Sequence, residues 1–134
     1  ALRQARAVSG GRVLGVVTAV FVDGILHGKP RVSQQARRYL ERLNGRRHDV
    51  WSGIAIVEDG AERTSAAVTH VTFRALEPAE IEWYIGTGEW RERAGAYAAQ
   101  GRGAALVERV EGDFWNVVGL PVPELIRLVP DLLD

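Results

Sequence analysis

Apolar positions set the first reading of the chain. Residues 12–22, RVLGVVTAVFV, are β-branched and almost continuously apolar, the pattern of a strand buried on both faces. Asp23-Gly24 then supplies a turn. Over 33–43 the period changes: Ala36, Leu40 and Leu43 share one helical face, Ser33 reads as the N-cap and Asn44-Gly45 as the stop. Two long strand patterns follow at about 47–58 and 62–75, hinged at Asp59-Gly60, the clearest hairpin signal in the sequence. Pro78 opens a short helix carrying Ile81, Trp83 and Tyr84. Another strand is expected at 104–110. A terminal helix is expected from Pro121, with Leu125, Leu128, Val129, Leu132 and Leu133 on one face. Residues 2–8 read as the end of a helix stopped by Gly10-Gly11. Hairpin strands interleaved with helices predict one α/β domain with a mixed sheet.

Composition narrows the function. The chain has 134 residues, 46% of them hydrophobic and 25% charged, so one domain with a real core is expected. Seventeen basic residues balance seventeen acidic ones, which gives no electrostatic case for a nucleic-acid or membrane partner. There is no cysteine, so disulfides and thiolate metal sites are excluded. No apolar run is long enough to span a bilayer and no signal pattern is present, so a cytoplasmic protein is expected. Methionine is absent even from position 1, which reads as a processed or truncated product.

Candidate chemistry gathers in three stretches. Lys29, in Gly-Lys-Pro at 28–30, is the only lysine in a chain that otherwise uses arginine. A compact ammonium on a flexible stem suits a phosphate, whereas an exposed turn lysine is the plainer reading. GEWRERAGAYAAQGRG, residues 88–103, sets Glu89, Arg91, Arg93, Tyr97 and Gln100 among four glycines. Glycines admit close approach of backbone to a ligand, and a glutamine amide offers one donor face and one acceptor face to a base edge. A loop of solvated charges is the commoner case. In EGDFWNVVGLP, residues 111–121, Asp113 reads as turn chemistry more than metal binding and Asn116 as structural. His27, His48 and His70 lack metal-ligand spacing, His48 reading as a strand-entry residue, and no Ser/His/Asp triad is supported. The residues alone point to a site for an anionic, base-containing small molecule.

Taken in order, VLGVVTAVFVDGILHGKP, LNGRRHDVWSG, AVTHVTFRAL and the long block from EIEWYIGTGEW to GDFWNVVGLP resemble the successive blocks of the Maf family. These are nucleoside triphosphate pyrophosphatases once described as septum-formation inhibitors. The resemblance implies an elongated mixed α/β sheet with flanking helices, related to inosine triphosphate pyrophosphatases. It also implies cleavage between the α and β phosphates with a divalent cation, Mg or Mn, and a possible homodimer. Lys29 falls on the family's phosphate-binding lysine. Thr18 and Gln100 match the branch similar to dTTP/UTP pyrophosphatases, and Glu89 and Arg93 sit in a block where arginine replaces the usual lysine. Thr18, Lys29 and Gln100 are therefore expected on one cleft, with Thr18 at its floor.

The resemblance also marks departures. The family pattern Gly-x-Asp-Thr is Gly15-Val16-Val17-Thr18 here, so Val17 stands where the catalytic carboxylate is implied. Gln4 stands at a lysine position, and the family's earlier Ser-Pro-Arg-Arg loop, first strand and first helix have no counterpart. An impaired pyrophosphatase with exposed core surface is the leading expectation. A non-catalytic nucleotide-binding module and a cell-division interaction module are the alternatives.

Overall fold

A computed structural model describes residues 1, 5 and 11–134. Gln4, and the helix expected over 2–8 apart from Ala5, lie outside the described residues. Strand β1 (Arg12–Val22) turns through Asp23-Gly24 into the short β2 (Ile25–His27), and helix α1 (Ser33–Leu43) follows. The long strands β3 (Arg47–Glu58) and β4 (Ala61–Phe73) lead to helix α2 (Pro78–Thr87), strand β5 (Val107–Glu111) and the short helices α3 (Phe114–Val118) and α4 (Val122–Leu128). The described strands form one sheet in the order β2-β1-β3-β4-β5, and every neighbouring pair is antiparallel. This is the expected α/β class. No helix among the described residues is long and apolar enough to cross a membrane.

The hairpin forms where its turn chemistry put it. Asp59 and Gly60 both take positive φ, 49° and 78°, between paired Glu58 and Ala61. That is the two-residue turn whose twist matches the flanking strands. Helix α1 buries Ala36, Leu40 and Leu43 as its period required. Its N-cap, however, is the extended Val32; Ser33 is already helical, and the Gln35 side chain takes the Arg31 N–H at 2.7 Å. At the other end Asn44 ties α1 to the segment before α2, donating to the Leu76 carbonyl at 3.1 Å and accepting from the Leu76 N–H at 2.6 Å. Helix α2 starts with Pro78 inside a Glu77/Glu80 capping box and stops at left-handed Gly88. Ile81 and Tyr84 are buried while Trp83 stays exposed.

Three expectations need correction. Strand β5 starts at Val107, because Arg102–Leu106 coils into a 3₁₀ turn. The terminal helix ends at Leu128: Pro130 cannot continue it, a 3₁₀ turn covers Pro130–Leu133, and Leu132 and Leu133 are exposed. Strand β1 is not buried on both faces along its length: its second face is covered at Gly15, against Ala1 and Ala5, and opens beyond it. Alternation sends Val16, Thr18 and Val20 to one side of the sheet and Gly15, Val17 and Ala19 to the other. On that second side Val17 is 50% exposed, beside Trp51 (44%) and Val68 (37%) on the neighbouring strands.

The covered side of the sheet holds two separate apolar clusters. Val20, Val22, Val50, Val71 and Phe73 pack against α1, α2 and the loop before β5. Ile54 and Ile56 pack against Leu125 and Val129, joined by Val16. Between the clusters the paired positions of β1 and β3 are Thr18 and Ser52, whose hydroxyls hydrogen-bond at 3.0 Å. Ser52 is fully buried there, and a cleft opens beside Thr18.

Candidate functional site

The cleft has a volume of about 630 Å³, within the range of small-molecule sites. Thr18 lies between Val16 and Val20 on its β1 wall. Lys29 and the 89–101 loop form one side, and Val117, Val118 and Gly119 form the other. The structure therefore brings Thr18, Lys29, Glu89, Arg93 and Gln100 together. It does not bring Val17, whose side chain leaves β1 on the opposite face.

Lys29 owes its place to its neighbours. Pro30 is buried, and the Gly28 carbonyl accepts the Gly95 N–H at 3.1 Å. The turn is anchored on both sides of an exposed lysine. Gly95 is required twice over. Its φ is +71°, and an added Cβ would stand 2.9 Å from a Val20 methyl. Left-handed backbone also occurs at two non-glycine residues of this loop, Glu92 (φ 60°) and Ala96 (φ 72°). Such conformations cost free energy and persist where packing overdetermines them. Arg93 lies between them, and among the described residues neither Arg93 nor Lys29 belongs to a salt bridge. Both cations line the cleft without a direct ion pair, although the Arg93 charge still acts on Glu89 through space.

The loop's carboxylates differ. Glu89 accepts from the Tyr84 hydroxyl (2.8 Å) and from the N–H groups of Gly103 (2.9 Å) and Arg102 (3.0 Å). Burial alone would raise its pKa, but the two backbone donors, the Tyr84 hydroxyl and the nearby Arg93 charge outweigh burial and hold it below the ordinary carboxylate value. Glu92 also lines the cleft, exposed at its surface. Tyr84 is pushed above the ordinary phenol range, first by burial, so it stays a donor. Tyr97 is likewise raised by burial and meets His48 Nε2 at 2.7 Å. Burial depresses His48 to about 4, which keeps that imidazole neutral at pH 7.

Other candidates have structural roles. Asp113 caps α3, its carboxylate accepting from Trp115 N–H at 2.9 Å. Asn116 is fully buried and donates to the Val50 carbonyl (3.1 Å) and to Thr69 Oγ1 (3.0 Å). Arg91 stacks over Trp90 at 5.2 Å. His70 pairs with Asp49 at 2.6 Å. Among the described residues no three His, Asp or Glu side chains converge as a metal site. Sequence reasoning missed Glu92, Tyr84 as a tether, and the Val117–Gly119 wall. Only Glu92, a carboxylate between two arginines in the glycine-rich block, left a readable signal.

An antiparallel sheet beside a cleft lined by two cations, a primary amide and the Thr18 hydroxyl has chemistry complementary to a small anionic molecule. The sequence profile of the Maf-like protein family matches residues 1–132. The chain belongs to that family. It is 44% identical over 117 residues to the dTTP/UTP pyrophosphatase of Pyrococcus furiosus, a match covering 87% of this chain and 62% of that protein. It is 46% identical to the dTTP/UTP pyrophosphatase of Anaeromyxobacter dehalogenans over 96% of the chain and 69% of the relative. The Moorella thermoacetica dTTP/UTP pyrophosphatase is 47% identical, with 96% and 70% covered. The chain thus spans less than two thirds of the first of these relatives.

Proposed function

We propose that this chain binds a pyrimidine nucleoside triphosphate, of the dTTP/UTP kind, and hydrolyses its α–β phosphate bond to release a monophosphate and pyrophosphate. One observation carries the reading: Lys29 and Arg93, joined through the Gly95–Gly28 backbone bond, share a cleft with the Gln100 amide. The two cations would neutralise the polyphosphate. A uracil or thymine edge presents an N3–H donor beside an O4 acceptor, which a glutamine amide complements in one geometry. Water attacks the α phosphorus, the bond to the bridging oxygen breaks, and pyrophosphate leaves. Relatives known as dTTP/UTP pyrophosphatases support this substrate class.

A divalent cation fits this cleft only as a partner of the nucleotide. Glu89 has its oxygens occupied, so Glu92 is the carboxylate left to meet an ion held mainly by phosphate oxygens. Bound there, the cation would supply further neutralisation of phosphate charge. Position 17 faces away from the cleft and Glu89 is engaged by three donors, which leaves Glu92 alone to orient water, so turnover is expected to be slow. A missing general base typically removes on the order of 10²–10⁴ in rate.

The spent Glu89 carboxylate favours a second reading, nucleotide binding without turnover. Pyrophosphate release from dTTP, UTP, dATP and GTP with Mg²⁺ or Mn²⁺, beside calorimetric binding of the same panel, separates the two. Release favouring dTTP and UTP supports catalysis, and binding without release supports the second reading. Absence of both rejects the site.

A further inference from the structure

Glu89 borders the cleft yet directs its carboxylate into the protein. Tyr84, which donates to Glu89, also accepts from the Ala98 N–H at 2.9 Å. Gln100 therefore sits between two anchors, Ala98 on one side and Arg102–Gly103 on the other, and both lead to the Tyr84–Glu89 pair. The loop closes on itself through Gly101 N–H to the Ala98 carbonyl at 3.1 Å. It has no spare room: a Cβ at Gly101 would lie 2.4 Å from the Glu89 carboxylate, and one at Gly103 would lie 2.3 Å from the Ala98 carbonyl oxygen.

We infer that Glu89 is a positioning residue: it holds neither phosphate nor metal, and it fixes the Gln100 amide so that the cleft discriminates between nucleobases. The inference rests on the nucleotide reading of the cleft. Its physical basis is donor counting. An ionised carboxylate offers only acceptors, and three donors here claim most of its capacity. A carboxylate turned toward phosphates would repel them; this one is turned to three hydrogen-bond donors, with the Arg93 charge also acting on it. A glutamine could not replace it, because its NH₂ would face a backbone N–H.

The test uses the whole chain with Glu89→Gln and Tyr84→Phe. Amide exchange at Arg102 and Gly103 is read by NMR without ligand. Affinities are then measured for the α,β-methylene analogues of UTP and ATP and for inorganic tripolyphosphate. In Glu89→Gln, exchange at both amides and the dissociation constant of the UTP analogue should rise about tenfold, the loss expected for a bond to a charged acceptor. Preference for the UTP over the ATP analogue should collapse while tripolyphosphate binding holds. Tyr84→Phe keeps the carboxylate's charge and should move base preference the same way; it decides the matter if Glu89→Gln loses protection throughout the chain. Tripolyphosphate affinity falling alongside the nucleotide's would place Glu89 on the phosphates and overturn the inference. Lost protection with intact base preference would overturn it too. Should the unaltered chain bind neither nucleotide analogue, the reading of the cleft fails, whereas protection at Arg102 and Gly103 still reports whether Glu89 clamps the loop.

Discussion

The N–H of Gly95 reaches the carbonyl of Gly28 at 3.1 Å, and this bond joins the turn that carries Lys29 to the loop that carries Arg93. Two cations far apart in sequence thereby share one wall of the cleft. Like charges lining one cleft repel until an anion bridges them. Their geometry is therefore set by packing around Gly95 and Pro30, and neither is held by a direct ion pair among the described residues.

Lys29→Ala should weaken binding of the α,β-methylene UTP analogue by about tenfold to a hundredfold, as expected for one charge-assisted contact. Lys29→Arg keeps the charge but exchanges a point donor for a planar fork, so its affinity should fall between the two. Calorimetric titration measures both. Equal affinity in all three proteins would remove Lys29 from the phosphate site.

Gly95→Ala tests the joint itself. The new methyl enters a backbone at φ +71° and meets the Val20 side chain at 2.9 Å. Strain and overpacking together should lower stability by about 2–4 kcal/mol. In urea unfolding this reads as a lower midpoint at unchanged slope. A variant as stable as the parent would mean that the loop and β1 separate at no cost.

How far the sequence announced all this depends on the range of each signal. Asp59-Gly60 was legible because a two-residue turn is decided by those two residues alone. The α1 register was legible for the same local reason, although its cap was not: Ser33 gave a cap signal, but the chain became helical one residue sooner, with Gln35 holding the entry. Helix α3 has five residues, too few to show a period. The two faces of β1 were readable in principle, since neighbours on a strand point to opposite sides, but its unbroken apolar run hid which side carried the cleft. Lys29, Arg93 and Gln100 could be selected by residue type. That Glu89 faces inward could not, because its three donors come from Tyr84 and a loop beyond position 100.

His48 should make stability depend on pH in a window separate from the carboxylates. Its ring is buried against Tyr97 and Phe73, and burial lowers its pKa from 6.5 to about 4. Between these values the unfolded chain takes up a proton that the folded chain refuses. Stability is therefore full above pH 6.5 and falls as pH drops, by up to about 1.4 kcal/mol per pH unit. Below about pH 4 both states are protonated and the loss, on the order of 3 kcal/mol, is complete. The group's shift is downward, so the loss runs toward acid. Urea unfolding of the parent and of His48→Gln at intervals from pH 7.5 to 4.5 isolates this contribution. Parallel pH profiles for the two proteins would show that His48 titrates normally.

Val17→Asp is the substitution the family pattern invites, and the structure argues against a simple repair. Position 17 shares its face of the sheet with Trp51 and Val68, while Thr18 alone of the pair faces the cleft. A carboxylate at 17 would enter solvent on the far side of β1, away from Lys29 and Gln100. Pyrophosphate release from dTTP should therefore stay within about threefold of the parent rate, far short of a general-base effect of roughly 10²–10⁴. Glu92→Gln is the matched control, because it alters a carboxylate that does line the cleft. Any metal-dependent turnover should fall by at least about tenfold there, with the affinity for Mn²⁺ in the nucleotide complex falling beside it. Both variants can be assayed in one series with continuous detection of pyrophosphate. A gain of a hundredfold or more in Val17→Asp would mean that β1 rotates its residue 17 toward the nucleotide on binding, and the face assigned to Val17 here would belong to the ligand-free protein alone.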